Sequence, residues 1–169
     1  MATTPAELYV TGLRNAHALE TQAVQLLQRQ TERLENYPAM LQRMKEHIEE
    51  SRSQAQRIER ILQSLGTSHS ALKDIGLGLM GNLAALAHAP APDEVVKNSF
   101  ANFAFEHFEI ASYRSLLVLA EAAGDNQGPG LLRQSLQEEE AMAKWISDHL
   151  EETTRTFLQR SVAGQTAGV

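Results

Sequence analysis

The placement of proline and glycine constrains the fold of this chain more than any other feature of its sequence. Only 5 prolines and 10 glycines occur in 169 residues, and most of them cluster near Pro38, within residues 66–93 and within residues 124–130. Between these clusters, apolar residues recur at helical spacing, and no stretch alternates with a period of two for long. The pattern therefore predicts four long helices and an all-α fold without strands.

The helix boundaries follow from local capping signals. Thr4 is a good N-cap, Pro5 suits the first helical position, and Glu7 occupies the third, which together form a capping box. Pro38 and Asp93 are read in the same way as the openings of the second and third helices. The predicted helices cover about residues 5–36, 38–66, 93–124 and 131–159.

The lengths of the connections indicate the topology of the bundle. A short first connection, a long second one and a short third one describe a ferritin-like four-helix bundle with one long B–C crossover. The Ala-, Gly- and Leu-rich crossover, residues 66–93, is expected to contain a short helix. We expect a single domain over residues 1–169, with a core at about 5–160 and a loose C-terminal tail.

Composition and charge exclude several classes of function. The net charge is −6 with no basic block, which disfavours nucleic-acid binding, and the absence of cysteine excludes disulfides and thiol catalysis. No apolar run approaches the roughly 20 residues of a membrane span. The N-terminus lacks the pattern of a signal peptide, so we expect a cytoplasmic protein without a membrane or nucleic-acid partner.

Glutamates occupy positions where a helical bundle normally buries apolar side chains. Glu20, Glu106 and Glu139 lie within the apolar stripes of the first, third and fourth helices, and Glu109 lies one turn from Glu106. Glu50 lies on the row beside the stripe of the second helix. A buried carboxylate without a partner costs several kcal/mol, and a pair of bridged metal ions supplies the missing positive charge. The pattern predicts a dinuclear metal site.

The ligand spacing differs from that of the usual di-iron bundle, in which two helices supply Glu-x-x-His. Here Glu139 is followed three residues later by methionine, and the chain has instead His47-x-x-Glu50 and Glu106-x-x-Glu109. Two explanations stay open: a carboxylate-rich site with few or no histidine ligands, or an eroded site in which only the fold survives. Oxygen ligands favour Fe, Mn or Mg over Zn and Cu.

Four segments carry a resemblance to a known family: NAHALETQAVQLL, HIEESRSQAQRIERI, EHFEIASYRSLLVLA and LQEEEAMAKWI. They resemble the YciE/YciF-type ferritin-like stress proteins, a family of unknown biochemical function. The resemblance implies a homodimer and two metal ions per chain, with Gln54 where family members often have histidine and Ala143 where they have an acidic residue. The metal ligands that it implies are Glu20, Glu50, Glu106, Glu109 and Glu139.

Four further side chains are weaker candidates for the site. His47 is an additional ligand candidate, and Gln54 can offer a carbonyl oxygen. His17, one turn before Glu20, is expected to orient a carboxylate or to lie at the surface. Tyr113 is expected either to hydrogen-bond a ligand carboxylate or to belong to the core.

Two functional hypotheses follow. The leading one is a stress-related ferritin-like protein that oxidises Fe(II) with oxygen or peroxide at a dinuclear site holding iron, with manganese as the alternative. The second is a non-enzymatic helical dimer whose metal site is structural or vestigial. The apolar crossover also favours a homodimer, because so much exposed apolar surface would be a liability in a monomer. A hydrolase with paired carboxylates has no supporting motif.

Overall fold

The computed structural model describes residues 2–69 and 91–169, which form four helices. They are α1 (Pro5–Thr31), α2 (Pro38–Ser64), α3 (Glu94–Ala123) and α4 (Gly128–Val162). No strand occurs in these two ranges, so the predicted all-α fold is confirmed. The predicted crossover helix falls largely on residues 70–90, which lie outside the described residues.

The directions of the helices follow from the residues that meet at one end of the bundle. Tyr9 of α1 packs in one apolar cluster with Leu62 of α2, Ala120 of α3 and Leu132 of α4. Tyr9 and Leu132 lie near the starts of their helices, whereas Leu62 and Ala120 lie near the ends of theirs. Consequently α2 and α3 run parallel, and the end of α2 and the start of α3 lie at opposite ends of the bundle. This is the single-crossover topology of ferritin-like bundles.

Apolar clusters fill the two ends of the bundle and leave a polar section between them. The first cluster includes Tyr9, Leu13 and Leu116. Towards the other end, Leu26 packs with Phe105, and Leu27 packs with Met44 and Ile48. Burial of these side chains joins all four helices at the first end and joins α1 to α2 and to α3 at the other, with the polar section between them.

The start of α4 differs from the prediction. The helix begins at Gly128 instead of Leu131, because the Asp125 carboxylate accepts hydrogen bonds from the backbone N–H groups of Gln127 (2.8 Å) and Gly128 (3.2 Å). Pro129 then suits the first turn. The predicted capping box at α1 is present, since Glu7 and Thr4 bond each other's backbone N–H groups. The C-terminal end of α1 lies at Thr31, which is earlier than the predicted end near Asn36.

The C-terminal tail is packed, which corrects the expectation that it is loose. The Gly168 carbonyl accepts a hydrogen bond from the Val95 N–H at 2.8 Å, and the Tyr37 hydroxyl donates to the Ala167 carbonyl. Asp93 is the N-cap residue of α3 as predicted, but its side chain makes no capping hydrogen bond and pairs with Lys97 at 2.8 Å. The tail therefore satisfies a backbone donor that the cap would otherwise serve.

Among the described helices, none is both long enough and apolar enough to cross a membrane.

Candidate metal centre

Four predicted glutamates converge in the polar middle section. Glu20 comes from α1, Glu106 and Glu109 from α3, and Glu139 from α4, and each is at most 2% exposed. The spacing of three residues places Glu106 and Glu109 one turn apart on the same helix face. The structure thus buries together the carboxylates that the periodicity singled out, while their role as metal ligands stays a prediction.

His47 of α2 lies at the centre of this group. Its Nδ1 is 2.8 Å from Glu50 Oε2, and its Nε2 is 3.1 Å from Glu106 Oε2 and 3.7 Å from Glu139 Oε2. One ligand-type atom from each of His47, Glu106 and Glu139 falls within 4.8 Å of the others, close enough for one cation to contact all three. Sequence reasoning ranked His47 below the glutamates, yet geometrically it is more central than Glu50.

The buried polar atoms of this section lack hydrogen-bond partners. Within the described residues, nine buried side-chain N and O atoms have no partner at hydrogen-bonding geometry, and all nine belong to this one section of the bundle. His47 Nε2 and Glu106 Oε2 are among them, although they lie 3.1 Å apart. Buried polar atoms in native proteins are normally satisfied by protein groups, ordered water or a bound ion, so nine together form a polar pocket suited to a bound ion or water. They belong to Glu20, His47, Ser51, Gln54, Glu106, Glu109 and Glu139.

Protons and one histidine charge balance the carboxylates in the protein without metal. Burial and the neighbouring carboxylates raise the pKa values of Glu109 and Glu139 well above the ordinary range. Burial acts to raise the pKa of Glu106, but the charge of the adjacent His47 outweighs burial and leaves that pKa lowered. Burial acts to lower the pKa of His47, and Glu106 and Glu50 overcome it, so His47 holds its proton well above its ordinary pKa.

Tyr113 is the hydrogen-bond partner of Glu20. The buried Tyr113 hydroxyl donates to Glu20 Oε1 and leaves Glu20 Oε2 without a partner. Burial raises the pKa of Glu20 to about 8, although the bond from Tyr113 acts against this rise. One Glu20 oxygen is therefore held in place while the other is available to a ligand.

Glu50 lies at the rim of the group, with its side chain 31% exposed. Arg43 donates to both of its oxygens, at 3.1 and 3.0 Å, and His47 contacts one of them. Burial acts to raise the pKa of Glu50, but His47 and Arg43 lower it to about 2. Glu50 is thus an ionised carboxylate that orients the His47 ring, as partners of metal-bound histidines commonly do. Direct ligation by Glu50 stays a prediction.

Gln54 is held by a pair of residues that sequence reasoning missed. Its Nε2 donates to Glu138 at 3.0 Å, and Arg57 binds both oxygens of Glu138 at 2.6 and 2.8 Å. This pairing directs the donor end of the amide away from the centre and leaves Gln54 Oε1 buried without a partner. Glu138 stands in a run of three glutamates, 138–140, and such runs are usually solvated. A contact between α2 and α4 leaves no signal in a single sequence.

His17 does not reach the centre, although it precedes Glu20 by one turn. Its Nε2 lies 2.8 Å from Glu59 instead. The two arginines nearest by spacing are also elsewhere, since Arg14 bonds Thr67 (2.7 Å) and Arg114 pairs with Glu140 (2.6 Å). Neither of these pairings neutralises the buried carboxylates.

The donor set suits hard divalent cations. The unpartnered atoms are mostly carboxylate oxygens, joined by an amide oxygen, a hydroxyl and one imidazole nitrogen. Oxygen-rich sets of this kind select iron, manganese or magnesium, and several carboxylates in one bundle core can bridge two ions. The residues therefore fit hard divalent cations, although on α4 the apolar Met142 occupies the position where a Glu-x-x-His site has histidine, with the apolar Ala143 beside it.

The sequence matches, over residues 4–159, the family described as domain of unknown function DUF892. Protein YciF of Escherichia coli (strain K12) is 31% identical over 109 residues, which is 60% of this chain and 64% of YciF. The aligned segment thus spans less than two thirds of that relative. These matches confirm the resemblance to YciE/YciF-type proteins.

Solved structures agree with the family match. A protein from Xanthomonas campestris pv. campestris str. ATCC 33913 is 32% identical, with a TM-score of 0.79 over 93% of this chain and 97% of that chain. The crystal structure of the Escherichia coli stress protein YciF has 25% identity and a TM-score of 0.74, over 88% and 96%. A Desulfovibrio desulfuricans bacterioferritin with a diiron site has 18% identity and a TM-score of 0.70, over 99% and 93%. This last likeness shows the ferritin-like fold alone.

Proposed function

We propose, from the premise that this chain belongs to the family described as domain of unknown function DUF892, that its buried carboxylates hold a pair of metal ions. The observation that carries the proposal is the set of nine unpartnered polar atoms in one section of the bundle. At about 1–3 kcal/mol for each unsatisfied group, nine such atoms would cost an amount comparable with the about 5–15 kcal/mol by which a domain is stable.

Each helix contributes to holding the ions. Glu20, Glu106, Glu109 and Glu139 supply oxygens from α1, α3 and α4. Glu50 keeps the His47 Nδ1 occupied, so that Nε2 faces the carboxylates and is available as a ligand after losing its proton. Metal uptake therefore competes with protons at His47 and at the buried carboxyls.

We further propose that the pair is iron, with manganese as the alternative, and that the activity is stress-related oxidation of Fe(II). When bound, iron supplies the electron that oxygen or peroxide accepts. The relative YciF is called a stress protein, and bacterioferritin is described with a diiron site in different catalytic states. The apolar surroundings of the site, including Met142, exclude bulk water from it.

Oxygen consumption after addition of Fe(II) tests this activity. We expect the wild type to consume oxygen or peroxide when anaerobically loaded with Fe(II), and Glu139→Gln to lose most of the rate. Glu140→Gln is the matched control, because Glu140 is adjacent in sequence but exposed and paired with Arg114. Equal rates in the wild type, Glu139→Gln and protein-free buffer would exclude a redox role.

A second candidate is a non-enzymatic homodimer in which the metal is structural. It is favoured by Met142 and Ala143, buried at α4 positions where a further ligand would be expected, and by the exposed Phe100 and Phe103 on α3. Under this reading Fe(II) raises the melting temperature without oxygen consumption. Sedimentation velocity decides the oligomeric state, and a monomeric mass at micromolar concentration would exclude the dimer.

A further inference from the structure

A second group of ligand-type side chains lies outside the carboxylate centre, where α1 and the end of α2 meet. It consists of His17, Glu59 and His69, whose ligand atoms all lie within 4.8 Å of one another. We propose that this group is a separate site for a zinc ion.

The distances fit a small tetrahedral ion. His17 Nε2 lies 2.8 Å from Glu59 Oε1, and His69 Nδ1 lies 3.7 Å from the same oxygen. Zinc takes His nitrogen and Glu oxygen at about 2.0–2.2 Å, which places tetrahedral ligand atoms roughly 3.3 Å apart. Small side-chain movements therefore bring the three donors to zinc distances.

The imidazoles are already arranged side by side. The rings of His17 and His69 stack with centroids 4.4 Å apart and an interplanar angle of 14°. A nitrogen of each ring thus faces the same carboxylate. Two neutral imidazoles and one carboxylate are a ligand set that zinc uses when its fourth position holds water.

After the end of α2 the chain reverses direction, which places His69 beside α1. Gly66 adopts a positive φ of 73°, and Thr67 N donates to the Leu62 carbonyl at 3.0 Å, which reverses the chain after the helix. Arg14 then holds the returning segment, donating to the Ser68 carbonyl at 2.9 Å and to Thr67 Oγ1 at 2.7 Å. The position of His69 therefore does not depend on the metal.

The site differs in chemistry from the carboxylate centre. Two of its three donors are imidazoles, which suit zinc better than iron, manganese or magnesium. The side chains of His17, Glu59 and His69 are 15%, 35% and 47% exposed, so the ion can enter directly from solvent and keep a water ligand. The proposal is independent of the proposed function.

Calorimetric titration with Zn²⁺ of chelator-treated protein tests the site. The variants are His17→Gln and His69→Ala in a Glu139→Gln background, which weakens the competing carboxylate centre. The control is His107→Ala in the same background, because His107 is exposed and its described contacts, with the Phe103 carbonyl and the Phe103 ring, lie within its own helix. Circular dichroism without metal verifies that each variant is folded.

We expect one Zn²⁺ per chain to bind outside the carboxylate centre in the background protein and in the His107→Ala control. His69→Ala and His17→Gln should each weaken this binding by at least about 100-fold, since changes to groups that merely orient a metal ligand already cost 10–100-fold. Substituted Co²⁺ should show the strong visible absorption of tetrahedral coordination only where both histidines are present. Equal Zn²⁺ stoichiometry and affinity in all four proteins would overturn the proposal.

Discussion

His47 shows how a single side chain balances a buried cluster of acids. It is fully buried and has carboxylates on both ring nitrogens, with Glu50 on one side and Glu106 on the other. As an imidazolium it stabilises Glu106 in the ionised form. As a neutral ring it can act as a nitrogen ligand, so a metal ion that binds His47 displaces its proton.

The protonation of the cluster predicts an unusual pH dependence of stability. The pKa of Glu20 rises from an ordinary 4.5 to about 8 through burial, and that of His47 is also raised. Between its ordinary pKa and its raised pKa, each of these groups keeps in the folded protein a proton that it has lost in the unfolded chain. For Glu20 this stabilisation is fully present below pH 4.5 and is lost as the pH rises through 8, whereas for His47 it is fully present below the ordinary value of 6.5 and is lost above it. The loss is about 1.4 kcal/mol per pH unit for each retained proton.

Urea unfolding of chelator-treated protein between pH 5 and 8 measures this effect. We expect the free energy of unfolding to fall with rising pH, and Glu20→Gln to flatten the slope, because glutamine keeps the Tyr113 contact but has no titrating proton. The lowered pKa values of Glu50 and Glu106 affect only more acidic conditions, since their stabilisation is lost as the pH falls below the ordinary value of 4.5. A free energy of unfolding that rises from pH 5 to 8 would contradict this assignment.

Residue-level prediction from the sequence succeeded where the signal lay within one helix. Glu20, Glu106 and Glu139 are visible because each interrupts an apolar stripe at helical spacing. His17 lies one turn from Glu20 on the same helix, but the residues that it contacts, Glu59 and His69, come from beyond α1. The contact between Gln54 and Glu138 likewise crosses between helices, and helical periodicity contains no information on such pairs.

At the scale of elements, the helix ends show how capping decides a boundary. Gly-Pro-Gly at 128–130 was read as part of a turn, yet Asp125 supplies the cap that lets α4 start at Gly128. The α3 start obtains an acceptor from the distant C-terminal tail. Local sequence predicts which segments are helical, whereas the acceptors available to the first N–H groups, near in sequence for α4 and distant for α3, decide the first turn.

The packed tail predicts an effect of substitution at Gly168. A Cβ there would lie 2.6 Å from the Pro92 carbonyl oxygen, so Gly168→Ala must displace the tail from α3. We expect a loss of about 1–3 kcal/mol, typical of overpacking. Gly130→Ala is the control, because nothing lies within 4 Å of its added Cβ. Thermal unfolding compares the two, and an unchanged melting temperature for Gly168→Ala would show that the tail contributes nothing.

At the scale of the whole molecule, the apolar core and the buried acids occupy different sections of the bundle. Apolar clusters lie at the two ends, around Tyr9 and around Met44, and the middle section contains the unsatisfied acids. The single-crossover topology was predictable from the lengths of the connections, because parallel neighbours need a long one. The metal and its reaction are not predictable in this way, since the same donors suit several hard cations.

Elemental analysis of purified protein tests the dinuclear centre most directly. We expect about two iron or manganese ions per chain in the wild type and in the Glu140→Gln control, and fewer than one in the Glu106→Gln/Glu139→Gln double variant. A folded wild type that contains neither metal and takes up no Fe(II) on anaerobic addition, or a double variant that binds as much as the wild type, would contradict the assignment of these carboxylates as ligands.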